Sequence, residues 1–362
     1  MSGAGAAMRL LRVVVVGATG NVGTSVVRAL VADPTVASVV GVARRAPATW
    51  PASPKVTWRS ADIVTDALAP VFEGADVVVH LAWLIQPSRD EAVTHAVNVD
   101  GSSRVFAAAA QAGVRAVVYA SSVGAYSPGP KDRAVDESWA TGGVQTSFYS
   151  RHKAQVEREL DRFERAHPDV RVVRLRPGLI FKREAASEIR RYFLGPLLPS
   201  LLVRRKLIPV VPDLPGLRFQ AVHADDVADA YRLAVVRDVT GAFNVAADPV
   251  LDPAVLGDLL GARPLPVAPK VLRALAEVTW KLRLQPTPPG WLDMALAVPI
   301  MDTTRAREEL GWAPCSRSTE ALGELLEGLR LGDGGPTPPL DAAAAGPLRL
   351  REFATGVGAR SR

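Results

Sequence analysis

Tyr149 and Lys153 stand four residues apart in the run Tyr149-Ser150-Arg151-His152-Lys153, which places both on one face at the start of a helix. A phenol with an ordinary pKa of about 10 is a poor acid–base group at neutral pH. An ammonium beside it favours the phenolate, so the spacing predicts a tyrosine drawn down toward the working range. Such a pair arises often by chance, and its surroundings decide its meaning. Upstream, the apolar run Ala116 to Ala120 leads into Ser121-Ser122-Val123-Gly124-Ala125-Tyr126. This sets hydroxyls at the carboxyl end of a strand, where open α/β sheets bind ligands. A serine there can donate to a carbonyl oxygen or alkoxide and hold it beside Tyr149.

A second constellation lies near the start. Directly after the apolar run Leu11 to Val16 comes Gly17-Ala18-Thr19-Gly20-Asn21-Val22-Gly23, and an apolar-periodic helix begins at once. Gly17 permits the tight turn, Gly20 lets backbone approach a pyrophosphate, and Gly23 lets helix and strand pack closely. The bland alternative is an ordinary glycine turn. About twenty residues on, where an acidic residue would hold ribose hydroxyls, the second strand ends in Ala43-Arg44-Arg45. Guanidinium groups suit a 2′-phosphate, which favours NADP over NAD; the competing reading is a pair of solvated loop arginines.

These residues need a scaffold, and the apolar runs supply one. Leu11 to Val16, Val39 to Val42, Val77 to Leu81, Ala116 to Ala120 and Val170 to Leu175 alternate with helical patterns at Val22 to Val31, Val93 to Ala112 and Tyr149 to Ala166. That order predicts an α/β fold: a Rossmann-type doubly wound parallel sheet with a smaller, discontinuous C-terminal substrate lobe. The expected division is a flexible start over 1–8, a dinucleotide-binding domain over 9–175 and a lobe over 176–331. Residues 219–247 return to the sheet, with a strand at Phe243 to Ala246, and 332–362 form a disordered tail with a short element near Leu348.

Composition narrows the class. With 362 residues, 48% hydrophobic and 22% charged, the chain can bury a large core. The net charge of +6 is spread among acidic residues, so nucleic acid is not an expected partner. The one cysteine, Cys315, allows no internal disulfide or thiolate zinc site, and five scattered histidines offer no metal cluster. A cytoplasmic location is expected, since Met1 to Met8 lacks signal-peptide character. No span is expected either: Leu194 to Val203 is short and interrupted by Pro196 and Pro199, and reads as a lobe helix or lid.

In order along the chain, the glycine turn, Asp62-Ile63, Leu81-Ala82, Asn98, Ser122, the Tyr149/Lys153 pair and Arg176-Pro177-Gly178 resemble the extended short-chain dehydrogenase/reductase family, which includes the NAD-dependent epimerases and dehydratases. The resemblance continues through His223-Ala224-Asp225-Asp226-Val227-Ala228 and Leu310-Gly311-Trp312, and so covers roughly Arg9 to Ala313. It implies that Asp62 and Ile63 contact adenine, that the Leu81-Ala82 backbone lines the cofactor and that Asn98 supports the framework. Ser122 and Tyr149 become catalytic, Lys153 also holds the nicotinamide ribose, and Pro177-Gly178 passes beside the nicotinamide. A homodimer is implied as well.

The expected activity is carbonyl/alcohol interconversion by hydride transfer, with Tyr149 as acid–base. Sugar-nucleotide epimerisation is an alternative, and a non-catalytic NADP sensor or scaffold a further one, although its usual mark, a damaged triad, is missing. A family dehydratase carries Asp-Glu after the catalytic hydroxyl, whereas this chain has Val123-Gly124. The usual aromatic-glycine pair appears as Phe181-Lys182, which weakens the sugar-nucleotide reading. Leu197, Leu198, Leu201, Leu202, Trp280 and Trp291 instead offer an apolar lobe. Asp225 and Asp226 read as a helix cap, and His80, His95 and His223 as structural residues.

Overall fold

The computed structural model describes residues 10–195, 209–345 and 357. The expected flexible start, Leu197 to Leu202 and the element near Leu348 lie outside the described residues.

Strands β1 (Leu11–Val16), β2 (Val36–Ala43), β3 (Val56–Ser60), β4 (Val77–His80), β5 (Ala116–Ala120), β6 (Arg171–Pro177) and β7 (Gly241–Val245) form one seven-stranded sheet. Its order is 3-2-1-4-5-6-7, with every neighbouring pair parallel. The expected return of the chain near Phe243 is β7, paired with β6. Each connection between parallel strands must cross a face of the sheet. The helices Asn21–Ala32 and Ala224–Val236 cover one face, and Gly101–Gln111 and Phe148–Ala166 cover the other. Strands covered on both sides read as unbroken apolar runs. Val13, Val14, Val15 and Val16 are accordingly all 2% exposed or less.

The edge strand β3 escaped the pattern. Val-Thr-Trp-Arg-Ser has one neighbour and only half-buried or exposed positions, so no continuous apolar run marks it. The helix expected over Val93 to Ala112 is continuous but contains a π-helical turn at Ala96–Asp100, and that turn carries Asn98. A second, three-stranded sheet holds Leu179–Phe181, Phe219–His223 and Ala247–Leu251, so of the 219–247 stretch expected in the main sheet only Gly241–Val245 joins it. Among the described residues no helix is long and apolar enough to cross a membrane.

Two expectations change. The chain after Gly332 packs rather than trailing free through the described stretch to 345. Gly332 adopts φ +73° and ends the helix Ser318–Leu331. The returning segment then buries Thr337 and Leu340, and the Thr337 hydroxyl donates to the Thr19 carbonyl at 2.7 Å. Its Gly/Pro/Ala composition hid this because the contacts are with residues hundreds of positions away. The cap of the helix Ala224–Val236 is His223, whose Nδ1 accepts from the Asp225 amide at 3.2 Å. Asp226 instead accepts from the amides of Cys315 and Ser316 at 2.9 and 3.0 Å, and its carbonyl accepts from Trp312 Nε1 at 2.7 Å.

Asp226 therefore ties the distant Leu310-Gly311-Trp312 segment to the main domain. Replacing it with alanine removes the acceptor of two part-buried backbone donors and is expected to lower the unfolding free energy by about 2 kcal/mol. Asp225→Ala, at a side chain 63% exposed, should change it by less than about 0.5 kcal/mol. Urea denaturation of both variants checks the contrast.

Candidate active site

The glycine turn is shaped by what cannot fit beside it. The amides of Gly17 and Ala18 donate to the Val42 carbonyl at the end of β2, and the Leu81 amide donates to the Val16 carbonyl. Gly17 has φ +87°, and a Cβ there would lie 2.6 Å from the Ala82 nitrogen; at Gly23 it would lie 2.2 Å from the Gly17 carbonyl oxygen. Side chains are excluded at both points. At Gly20, by contrast, a Cβ would meet only the Gly17 oxygen, at 3.6 Å. The helix beginning at Asn21 has no acidic residue in its first turn and no capping side chain. Exposed N–H groups, the positive helix end and an open glycine face suit the pyrophosphate of a dinucleotide.

Val22 packs against the core, and Asn21 donates to the Ile180 carbonyl at 3.3 Å. Arg44 and Arg45 follow β2, exposed and, among the described residues, without protein partners. Asp62 accepts from the Val64 amide at 2.9 Å, and Ile63 is buried beneath Gly101. Asn98 clamps the chain after β4: it accepts from the Leu84 amide at 2.7 Å and donates to the Leu84 carbonyl at 2.8 Å. Pro177 ends β6, and the next amide, Gly178, donates to the Val245 carbonyl at 3.0 Å.

At the carboxyl end of β5 the backbone enters a tight turn in which Ser122 Oγ accepts from the Gly124 amide at 3.0 Å. Ser147 caps the helix Phe148–Ala166. Ser150 locks the two together, donating to the Gly124 carbonyl at 2.5 Å and accepting from the Val144 amide at 2.6 Å. Tyr149 then lies against Gly124, where a Cβ would come within 2.9 Å of its ring. Lys153, 3% exposed, donates to the Ala120 carbonyl at 2.6 Å. Its Nζ sits 3.5 Å from the Trp83 ring centroid and 5.7 Å from that of Tyr149. The fold thus gathers Ser122, Tyr149 and Lys153 at one strand end.

The electrostatics differ from the expectation. Burial pushes Tyr149 up to about 12, with the Ser122 hydroxyl pulling it the other way. Burial also holds Lys153 well below its ordinary value, opposed by the Glu157 carboxylate. The ammonium does not draw the phenol down here, because desolvation outweighs it and the Ala120 carbonyl and Trp83 face engage it. The same burial isolates His80, whose Nε2 lies 2.9 Å from Ser102 Oγ and whose pKa falls to about 3.

Residues 13–246 match the NAD dependent epimerase/dehydratase family. The chain belongs to that family. It is 27% identical to the uncharacterized protein Rv2047c of Mycobacterium tuberculosis over 323 residues, 88% of this chain but only 30% of that protein. It is likewise 27% identical to the uncharacterized protein Rv0501 of the same organism, over 81% of this chain and 74% of that one. Among solved structures, UDP-glucose 4-epimerase from Thermotoga maritima with UDP-glucose superposes with a TM-score of 0.64 at 20% identity, covering 89% of this chain and 99% of that one. DesIV, a dTDP-glucose 4,6-dehydratase from Streptomyces venezuelae with NAD and TYD bound, gives 0.66 at 21%, covering 89% and 97%. At these identities the likeness is one of fold.

Within this epimerase/dehydratase scaffold, Trp83, Phe193 and Glu157 went unread in the sequence, whereas Trp291 was expected in the apolar lobe. Trp83 and Trp291 flank Tyr149 with ring centroids 5.8 and 4.8 Å away, and Phe193 meets Trp291 at 4.9 Å. Glu157 is buried behind Lys153 and accepts from Ser121 Oγ at 2.5 Å, from Arg176 at 2.8 and 3.0 Å, and from Arg174 at 3.3 Å. Tyr149, Lys153 and Glu157 share a helix face by their four-residue spacing, and Arg174 and Arg176 share a strand face. That periodicity is the signal that could have found the network.

Burial alone would raise the Glu157 carboxyl, yet Arg176, Arg174 and Ser121 hold it below its ordinary value of 4.5. A depressed carboxylate contributes stability that is fully present above the unfolded pKa and lost as pH falls through the folded one. Glu157→Gln should cost about 3 kcal/mol at neutral pH and flatten the acid limb of stability against pH. Circular dichroism of acid unfolding reads both; an unchanged acid limb would contradict the assignment.

Proposed function

We propose that the chain interconverts a carbonyl and an alcohol with a nicotinamide dinucleotide. Tyr149 is the acid–base, Ser122 orients the reacting oxygen, and Lys153 engages the nicotinamide ribose. The observation that carries this reading is the convergence of the three side chains at the carboxyl end of β5, beside a glycine turn open only at Gly20. When bound, the dinucleotide supplies or accepts the hydride. Gly17, Thr19, Gly20, Asn21, Val22 and Gly23 form its pyrophosphate cradle. Asp62 and Ile63 border its adenine, and Leu81, Ala82, Asn98 and Pro177 border the rest of the site. Residues 9–175 are its binding domain, and 176–331 shape the substrate side.

In reduction, the Tyr149 hydroxyl gives its proton to the forming alkoxide while Ser122 donates to the same oxygen. A phenol lifted by burial is fully protonated at neutral pH and ready for that role. In oxidation Tyr149 must first lose its proton, so the two directions oppose each other in pH dependence. Oxidation rates should rise from neutral to mildly alkaline pH while reduction stays flat, and kcat profiles in both directions check the sign.

The exposed Arg44 and Arg45 beside β2 support NADP over NAD. The aromatic wall of Trp83, Trp291 and Phe193 around Tyr149 supports an apolar carbonyl or alcohol. A second reading, epimerisation of a sugar nucleotide by oxidation and re-reduction at one carbon, is favoured by the UDP-glucose held in the T. maritima neighbour.

The test is turnover of NADPH and NADH, followed by nicotinamide absorbance, across apolar carbonyls and by product analysis with UDP-sugars. Tyr149→Phe should lower kcat by a factor of about 100 or more, and unaffected turnover would overturn the mechanism. Replacing Arg44 and Arg45 together by alanine should weaken NADPH about tenfold or more while NADH changes by less than about threefold. Fluorescence titration measures that difference.

A further inference from the structure

Lys182 is 1% exposed, and the mechanism above leaves it without a role. Its ammonium donates to the Asn21 carbonyl at 2.6 Å, to Thr24 Oγ1 at 2.7 Å and to Ser25 Oγ at 3.2 Å. All three acceptors are neutral, and all lie at the start of the helix that leaves the glycine turn. Among the described residues no carboxylate stands within ion-pair distance of it.

The position is unfavourable for a cation on two counts. Burial pushes the lysine down to about 8, Arg28 on that helix pushes it the same way, and Glu184, Asp225 and Glu188 act against them. It also sits at the positive end of a helix dipole. A buried charge with no counter-charge is strongly destabilising, and an anion at this helix end relieves both penalties together. The open face at Gly20 lies at that end.

We propose that Lys182 is a positioning residue for the dinucleotide pyrophosphate, supplying counter-charge from beneath the first helical turn. It reaches there from the segment just after the strand Leu179–Phe181, whose Ile180 carbonyl also holds Asn21. The substrate side of the molecule is thereby stapled to the cofactor turn by Asn21 and Lys182. This inference rests on the dinucleotide reading of the glycine turn.

The test is fluorescence titration of the full chain with NADPH, NADH and adenosine, alongside thermal unfolding without ligand. Lys182→Met should raise the Kd of both dinucleotides about tenfold or more, leave adenosine unchanged, and keep or raise the ligand-free Tm. Lys182→Arg should recover part of the loss. Dinucleotide affinity within about twofold of wild type, or an equal loss for adenosine, would overturn the proposal. If Lys182→Met does not fold, Lys182→Gln, which keeps hydrogen bonding without charge, is read by the same criteria. Wild-type protein that binds neither dinucleotide overturns the reading of the turn itself, whereas binding indifferent to Lys182 overturns only the role given to Lys182.

Discussion

Lys153 is enclosed where water cannot solvate it, and the Ala120 carbonyl at the end of β5 is its closest partner. That hydrogen bond ties the helix Phe148–Ala166 to one strand end, because an ammonium removed from water loses too much free energy if its acceptor moves. Tyr149, one turn earlier, is then carried to Ser122 and Gly124. Glu157, one turn later, meets Arg174 and Arg176 on β6. One helix face therefore carries Tyr149 in its first turn and a buried ion network behind it, and the second fixes the first. Ser121 belongs to that network through Glu157 and is the neighbour of Ser122.

The glycine turn obeys a complementary constraint, one of excluded atoms. Gly17 packs on the Ala82 backbone and Gly23 on Gly17, so the first βα crossover reaches the carboxyl edge of the sheet with no side chain between. Gly20 faces open space. The order 3-2-1-4-5-6-7 places β1 and β5 on either side of β4. A ligand lying across that edge therefore spans both constellations, and the site depends on the parallel sheet as a whole.

Features encoded locally were legible in the sequence. The strands covered on both faces announced themselves as apolar runs, and the glycine spacing and the Tyr149/Lys153 separation are properties of a few consecutive residues. The half-buried edge strand β3 was not legible, since exposure broke its apolar run. Thr337 on Thr19 and Asp226 on Cys315 and Ser316 were also hidden, because each joins segments whose proximity only the finished fold creates. The lowered phenol pKa inferred from a neighbouring lysine failed for the same reason. Desolvation at Tyr149 comes from its aromatic and apolar surroundings, Trp83 and Trp291 among them, none of which the four-residue spacing contains.

The reaction proposed for this edge is hydride transfer to or from a carbon held beside Tyr149. The most direct measurement is a single turnover with NADPH deuterated at nicotinamide C4 and a carbonyl compound accepted by the enzyme, with the product examined by mass spectrometry and NMR. Deuterium is expected on the new carbinol carbon, with a slowed transfer step when the label is in the transferred position. An alcohol product formed from dinucleotide labelled at both C4 positions, yet carrying no deuterium at that carbon, would contradict it.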